Sequence, residues 1–569
     1  MKNYPYYKNI PSFVNIREFI EYIDKLHTNN IAYSYRVNPH DDEIQTRTYS
    51  RLCEDVRCLS AALIERGIPQ MGHCALIGKL TYGWVCTYFA LLAAGTTLVP
   101  LDPDWSAEDL ADTVTKAECK ALFCSDDVLA NKAETICKAA GIETTVAVEY
   151  AEHELTVEKL IDEGAVLREN GNINYESARI SPDKLALLVF TSGTTGQGKG
   201  VMLTQTAILS NVTAALRLID LPKTRRTVSV LPPHHTFGST VNILGVLLFG
   251  ANIYISSGIR YVVKELKEHR PTFLVLVPLY LETFYRKIKG ALADSGKEKL
   301  LGSLMKITDA ISYTGLDMRQ RLYKGVLSAF GGCLSLVVSG GAPLSSEIAS
   351  TFESFGIKIL NGYGITECSP LLAANRDRQC VKGSVGRVIH NATIKIKDPD
   401  ENGEGEICAK GPNVMLGYYK DEAATAEVFD EDGYFRTGDI GKLDENGWLY
   451  ITGRAKNLII LSNGKNVYPE EIEVELSSVP GVIDVVVYEG ISKRGAEKNA
   501  IVAEIYPDYD FLSKNNIEDK QAYFKKFIND FNRTAVAYKK ISVLKIRETE
   551  FPKNTLRKIT RFKIDKTID

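Results

Sequence analysis

Leu185-Ala-Leu-Leu-Val-Phe190 runs directly into Thr191-Ser-Gly-Thr-Thr-Gly-Gln-Gly-Lys-Gly200. An apolar strand-like run is followed by ten residues holding four Gly, four Ser/Thr and one Lys. Glycine lets a backbone approach an anion closely and turn its N–H groups toward it. The hydroxyls add donors and Lys199 adds a compact positive charge, so the composition suits a polyphosphate. Gly193 to Lys199 matches a P-loop by count, but that loop needs Ser or Thr next and a helix beginning there. Here Gly200 follows, and then Val201-Met202-Leu203, which reads as extended. A P-loop NTPase is therefore excluded on two counts. A plain Gly/Ser linker is the weaker alternative, because linkers are rarely joined to a buried strand.

Outward from this loop, short apolar runs alternate with amphipathic ones. Thr48 to Arg66 and Thr87 to Ala94 read as helices. Cys74 to Ile77, Leu98 to Pro100, Ala121 to Cys124, Thr227 to Leu231 and Phe273 to Val277 read as strands. The alternation predicts an α/β fold of layered subdomains with largely parallel sheets. Gly403 to Leu461 is dense in Gly, Asp and Asn between short strand-like pieces, which predicts a β-rich subdomain with tight turns. Beyond Lys456 the texture changes to a small α+β unit. It has a helix from Tyr468 opened by Pro469, strands at Val482 to Glu489 and Ala500 to Tyr506, and a helix at Gln521 to Asn532. The division expected is a large N-terminal domain, 1–455, and a small mobile C-terminal one, 456–569.

Composition bounds the partners. The chain has 569 residues, 45% hydrophobic and 24% charged, with 68 Lys/Arg against 71 Asp/Glu. Nothing in that balance argues for nucleic acid or an anionic membrane. The last 32 residues hold ten Lys/Arg and four acids, which read as a solvated basic face. Eleven scattered cysteines without a Cys-x-x-Cys pair fit free thiols of a reducing compartment. The start lacks a signal-like apolar stretch, and Val85 to Leu101 is broken by Gly95, Thr96 and Thr97. A cytoplasmic protein without an integral membrane segment is expected.

Five further motifs follow the phosphate loop in order. They are Gly340-Gly341-Ala342-Pro343-Leu344, Asn361-Gly-Tyr-Gly-Ile-Thr-Glu367, Tyr434-Phe-Arg-Thr-Gly-Asp439, Gly453-Arg454 to Glu473, and Pro552-Lys-Asn-Thr-Leu-Arg-Lys558. Together with Thr191 to Val201, this set resembles the adenylate-forming superfamily of acyl-CoA ligases, non-ribosomal adenylation domains and luciferases. The resemblance spans roughly 185–565.

The resemblance implies ATP, Mg²⁺ and a thiol acceptor, either coenzyme A or the phosphopantetheine of an acyl carrier protein. It implies that Thr191, Ser192, Gly193, Thr194, Thr195, Gly196 and Lys199 hold phosphates, and that Gly341, Ala342, Pro343, Tyr363 and Gly364 face the adenine. Thr366 would donate to the α-phosphate. Glu367 would bind Mg²⁺, a metal that keeps few protein ligands. Asp439 would accept the ribose hydroxyls, although by sequence alone it is equally an Asx-turn residue. Arg454 would contact ribose and phosphate, although alone it reads as a surface ion pair. Lys456 would be the hinge, and Lys558 would neutralise the crowded adenylation transition state. Arg557 stands where the family usually has Gly.

His234 and His235 lie in Leu231-Pro-Pro-His-His-Thr-Phe-Gly-Ser239. On an extended segment neighbours face opposite sides, so the pair is not a simple metal chelate. The family pattern aligns His235 to the meeting place of acid and phosphate; a satisfied core histidine is the equal alternative.

Three features lean toward medium- or long-chain fatty acids. Arg454 to Gly464 is ten steps, which resembles the long-chain group. Lys267 to Pro278 resembles that group's Pro-Thr…Val-Pro stretch. Residues 235–255 are apolar enough to wall an acyl tunnel, though for most of them an ordinary buried helix is the better reading. The expectation is an ATP-dependent acid–thiol ligase, a fatty acyl-CoA synthetase. A carrier-protein-loading enzyme is the same-chemistry alternative. A luciferase-like oxygenase or an inactive nucleotide-binding scaffold is the alternative of another class.

Overall fold

A computed structural model describes residues 7, 10–149, 152–191, 198–221, 225–294, 308, 318–461, 466–491, 500–553 and 559–568. The fold is mixed α/β. The strand read from the apolar run spans Leu185–Thr191 and sits inside a seven-stranded sheet. On one side it pairs in parallel with Thr97–Leu101, then His73–Ile77, Cys119–Cys124 and Thr144–Ala147. On the other it pairs antiparallel with Lys199–Thr204, which pairs with the two-residue strand Gly417–Tyr418. Its five central residues Ala186 to Phe190 are buried, as a strand covered on both faces demands.

A nine-stranded sheet changes character along its width. Phe273–Leu276, Leu336–Ser339 and Lys358–Gly364 are parallel; the remaining six, from Leu371–Ala374 to Thr393–Lys397, pair antiparallel. Three of these six, Gly405–Lys410, Phe435–Leu443 and Trp448–Arg454, fall in the β-rich stretch read from Gly403 to Leu461; Leu371–Ala374, Gly386–Val388 and Thr393–Lys397 precede it. A four-stranded sheet joins Gln45–Thr48, Ile31–Tyr35, Asn252–Ile255 and Arg226–Ser229.

The tail forms a core of its own. Ile459, Val467, Ile472, Val485, Val487, Ile501, Ile505, Phe524 and Ile528 cluster together. They come from the antiparallel pair Val482–Gly490 and Ala500–Pro507, from the two-residue strands Ile459–Ile460 and Asn466–Val467, and from helices Pro469–Leu476 and Lys520–Thr534. Pro at the first helical position of Pro469–Leu476 opens that helix because its missing N–H costs nothing there.

Three local expectations change. Tyr82–Ala93 begins its helix five residues earlier than Thr87, capped by the Thr81 side chain, which accepts the Trp84 N–H. Residues 237–245 form a π-helix that continues as α-helix through Leu248, and Asn252–Ile255 is a strand, so 235–255 is not one buried helix. The His234–His235 segment is a turn, not extended chain. Among the described residues no helix is long and apolar enough to cross a membrane.

Candidate active site

The ends of the phosphate loop are held together by the sheet. Thr191 pairs with Lys199 across the antiparallel ladder, and the Thr191 hydroxyl donates to the Lys199 carbonyl at 3.4 Å. Gly198 is tolerated only as glycine, since a Cβ there would stand 2.6 Å from the Thr191 carbonyl oxygen. Lys116 Nζ donates to the Gly198 carbonyl at 3.3 Å. Ser192, Gly193, Thr194, Thr195 and Gly196 lie outside the described residues, as does Lys558.

Lys199 leads to the next motif. Its Nζ lies 4.5 Å from the centre of the Tyr418 ring, and the Tyr418 hydroxyl donates to Glu367 Oε1 at 3.1 Å. The Glu367 carbonyl accepts the Met415 N–H at 2.8 Å. Glu367 is thus held by a neutral hydroxyl, and among the described residues no Lys or Arg stands within ion-pair distance of it. A half-buried carboxylate so held offers hard oxygen donors, which fits Mg²⁺. No cluster of three or more His, Cys, Asp or Glu exists among the described residues. A metal at Glu367 would complete its shell from water and phosphate oxygens, as Mg²⁺ commonly does.

Tyr363 and Asp439 meet in the nine-stranded sheet. The Tyr363 hydroxyl donates to Asp439 Oδ2 at 2.7 Å, and Arg454 Nε stands 2.8 Å from Asp439 Oδ1. Asp439 and Arg454 are cross-strand partners of Phe435–Leu443 and Trp448–Arg454. Asp439 therefore lies on a strand, where a turn was expected. The glycines beside it misled for different reasons. Gly438 has φ +69°, whereas a Cβ at Gly441 would stand 2.2 Å from the Tyr450 carbonyl oxygen across the ladder. Burial and the neighbouring carboxylate raise the Tyr363 phenol well above its ordinary range, so it stays a donor.

The Gly340 segment links these groups to the histidines. A Cβ on Gly340 would sit 3.3 Å from the Phe237 ring and 3.5 Å from the Gly362 carbonyl oxygen. Phe237 opens the π-helix two residues after His235. Gly341 has φ +85°, a left-handed value that favours glycine before Ala342-Pro343. Gly364 packs so closely on Pro370 that a Cβ would lie 2.1 Å from its carbonyl oxygen, and Thr366 starts a short 3₁₀ turn. The His234 and His235 rings are 4.4 Å apart and tilted by 51°.

Lys456 sits in a 3₁₀ turn after the strand Trp448–Arg454. Loss of water around its ammonium, and then Arg454, lower its pKa, while Asp439 and Glu367 pull it up. The lysine thus feels both carboxylates of the site. The structure brings together Tyr363, Asp439 and Arg454 as one bonded cluster, and Lys199, Tyr418 and Glu367 as another.

The AMP-binding enzyme family matches residues 23–419, which contain the loop, Gly340–Pro343, Tyr363 and Glu367. The chain belongs to the AMP-binding enzyme family. A long-chain-fatty-acid–CoA ligase of Mycobacterium bovis is 27% identical over 511 residues, 84% of each chain. A chloroplastic long-chain-fatty-acid–[acyl-carrier-protein] ligase of Arabidopsis thaliana is 27% identical over 530 residues, 80% of this chain and 72% of its own. In fold, the chain resembles the crystal structure of ATP-bound MatB from Rhodopseudomonas palustris. The TM-score is 0.73 at 24% identity, over 96% of this chain and 97% of that one.

Tyr418 was not singled out by sequence. It belongs to a two-residue strand, Gly417–Tyr418, whose place beside Lys199–Thr204 no local pattern reveals.

Proposed function

We propose that this protein joins a medium- or long-chain fatty acid to the α-phosphorus of ATP, expelling pyrophosphate, and then passes the acyl group from acyl-AMP to the thiol of coenzyme A. The observation that carries the reading is the Tyr363–Asp439–Arg454 cluster, with Lys456 in the field of both Asp439 and Glu367. A carboxylate flanked by an aromatic ring and a guanidinium suits a ribose between a base and a phosphate.

In this reading the reaction must bring two anions together, so positioned cations and donors lower the barrier. Thr191 to Gly196 and Lys199 hold the β- and γ-phosphates, and Thr366 donates to the α-phosphate. Gly341, Ala342, Pro343, Tyr363 and Gly364 border the adenine. His235 orients the carboxylate, and Lys558 screens it from the phosphate during attack. Glu367 would hold Mg²⁺, which when bound neutralises phosphate charge. The hinge at Lys456 separates 1–455 from 456–569 and lets the small domain turn between the two steps.

Fatty acid as substrate is supported by the likeness to the long-chain-fatty-acid–CoA ligase of Mycobacterium bovis and by the ten-step spacing from Arg454 to Gly464. The Arabidopsis relative favours a second acceptor, a carrier-protein phosphopantetheine, which presents the same thiol arm. A panel of acids in hydroxamate-trapped adenylation tests the substrate. Each buried CH₂ is worth ~0.8 kcal/mol, so acids of ten or so carbons should exceed acetate by orders of magnitude in kcat/KM. An amino acid or aryl acid as the best substrate contradicts the fatty-acid reading. Supplying coenzyme A and a phosphopantetheinylated carrier in parallel decides the acceptor.

A further inference from the structure

The strand Thr97–Leu101 ends against the histidine turn. Asp102, the next residue, is 2% exposed, and its Oδ1 accepts the Asp104 N–H at 2.9 Å. Its Oδ2 faces His234 Nε2 at 3.6 Å. That is too long for a hydrogen bond, and among the described residues Oδ2 and both His234 ring nitrogens have no other partner. His234 is 6% exposed, and burial holds its imidazole down to about 3, so the ring is neutral and carries one N–H. With that proton on Nε2, a closer approach would satisfy Asp102 Oδ2 and His234 Nε2 at once. Leaving them apart is costly for buried polar atoms. Hydrogen bonds of this kind are often long without substrate and tighten in the complex.

The turn is built to pass such a movement on. The His235 carbonyl accepts the Ser239 N–H at 2.9 Å and the Ser239 hydroxyl at 3.2 Å. A Cβ on Gly238 would lie 2.0 Å from the Pro232 carbonyl oxygen, so the backbone on both sides of the histidines is closely packed. With the two rings 4.4 Å apart, a shift of His234 cannot leave His235 unchanged.

We propose that Asp102 and His234 are positioning residues for adenylation: the pair closes to a hydrogen bond when an acid occupies the site, and so fixes the His235 ring against the carboxylate. This rests on the functional reading above, in which His235 meets the acid. No covalent bond is made or broken; the proton stays on His234 Nε2.

The test compares the unaltered protein with D102N, H234Q, the double variant and H235A. Two rates are measured: fatty-acid-dependent ATP–pyrophosphate exchange, and thioester formation from supplied acyl-adenylate. D102N and H234Q should each slow exchange about tenfold through kcat, with KM for ATP and the thioester step within twofold. The double variant should be no slower than the slower single, because the two act as a unit. D102N is isosteric and keeps an oxygen for the Asp104 N–H, so it is readable even if H234Q melts early. Full exchange in D102N, additive losses in the double variant, or equal losses in both half-reactions overturn the pairing. Full exchange in H235A overturns it too. No acid-dependent exchange in the unaltered protein overturns the functional reading, and the pairing with it.

Discussion

Across two antiparallel strands Arg454 Nε stands 2.8 Å from Asp439 Oδ1, while the other carboxylate oxygen accepts the Tyr363 hydroxyl at 2.7 Å. Both oxygens are therefore oriented before any nucleotide arrives. Tyr363→Phe keeps the ring and removes the donor. It should cost about 1 kcal/mol of stability and raise KM for ATP severalfold, with KM for the acid unchanged. Tyr363→Leu, which loses the ring as well, should raise KM for ATP further. Kinetics at varied ATP and varied acid check the split.

Glu367 is oriented by Tyr418 rather than neutralised by a cation. Glu367→Gln keeps that bond and loses the charge. Because a neutral amide is a poorer Mg²⁺ ligand, adenylation should fall sharply and most at limiting Mg²⁺. A Mg²⁺ titration of the rate reads this directly, and an unchanged rate at limiting Mg²⁺ would remove Glu367 from the metal site.

Stability should fall on the acid side for an identified reason. Burial lowers His269 to about 4 and His234 to about 3. Both are neutral when folded, whereas in the unfolded chain they take up protons near pH 6.5. The unfolded state then binds more protons, so stability is complete above about 6.5 and is lost as pH falls toward 4 and 3. His269→Phe, which keeps a ring against Tyr254, should flatten the slope of melting temperature with pH between about 4 and 6.5.

Glu473 in the C-terminal core has the opposite sign. Burial raises it to about 7, outweighing the Arg561 guanidinium and the Val487 N–H that favour its charged form. Its proton stabilises the fold fully below the ordinary glutamate value, and that contribution is lost as pH rises from about 4.5 through 7. The protection factors of the amides in Val482–Gly490, with the intrinsic base-catalysed rate divided out, should therefore fall over that range, and Glu473→Gln should remove the fall.

The two half-reactions should separate. Lys558→Ala is expected to slow acyl-AMP formation ~10²–10³-fold and to spare thioester formation from supplied acyl-AMP. Lys456→Pro, which fixes φ at the proposed hinge, is expected to do the reverse. Equal slowing of both steps by Lys558→Ala would mean that the domain does not alternate.

The parts legible in sequence are those set by local pattern. The Leu185–Thr191 run, the Pro469 helix start and the turn-dense antiparallel half all leave marks in consecutive residues. What was missed depends on distant partners. Asn252–Ile255 is a strand because Ile31–Tyr35 and Arg226–Ser229 flank it. Asp439 sits on a strand because Arg454 lies opposite, and its glycines looked like a turn. The adjacency of His234 and His235 suggests opposed side chains on extended chain, but their turn packs the rings together. Tyr418 reached the site through a two-residue strand no periodicity could announce.

The central claim is that this chain activates a carboxylic acid with ATP. Isotope exchange between pyrophosphate and ATP, with and without added fatty acid and without any thiol, tests it most directly. The account predicts exchange that requires the acid and Mg²⁺, with AMP rather than ADP as the nucleotide product once a thiol is supplied. Exchange independent of added acid, or ADP as the product, would contradict it.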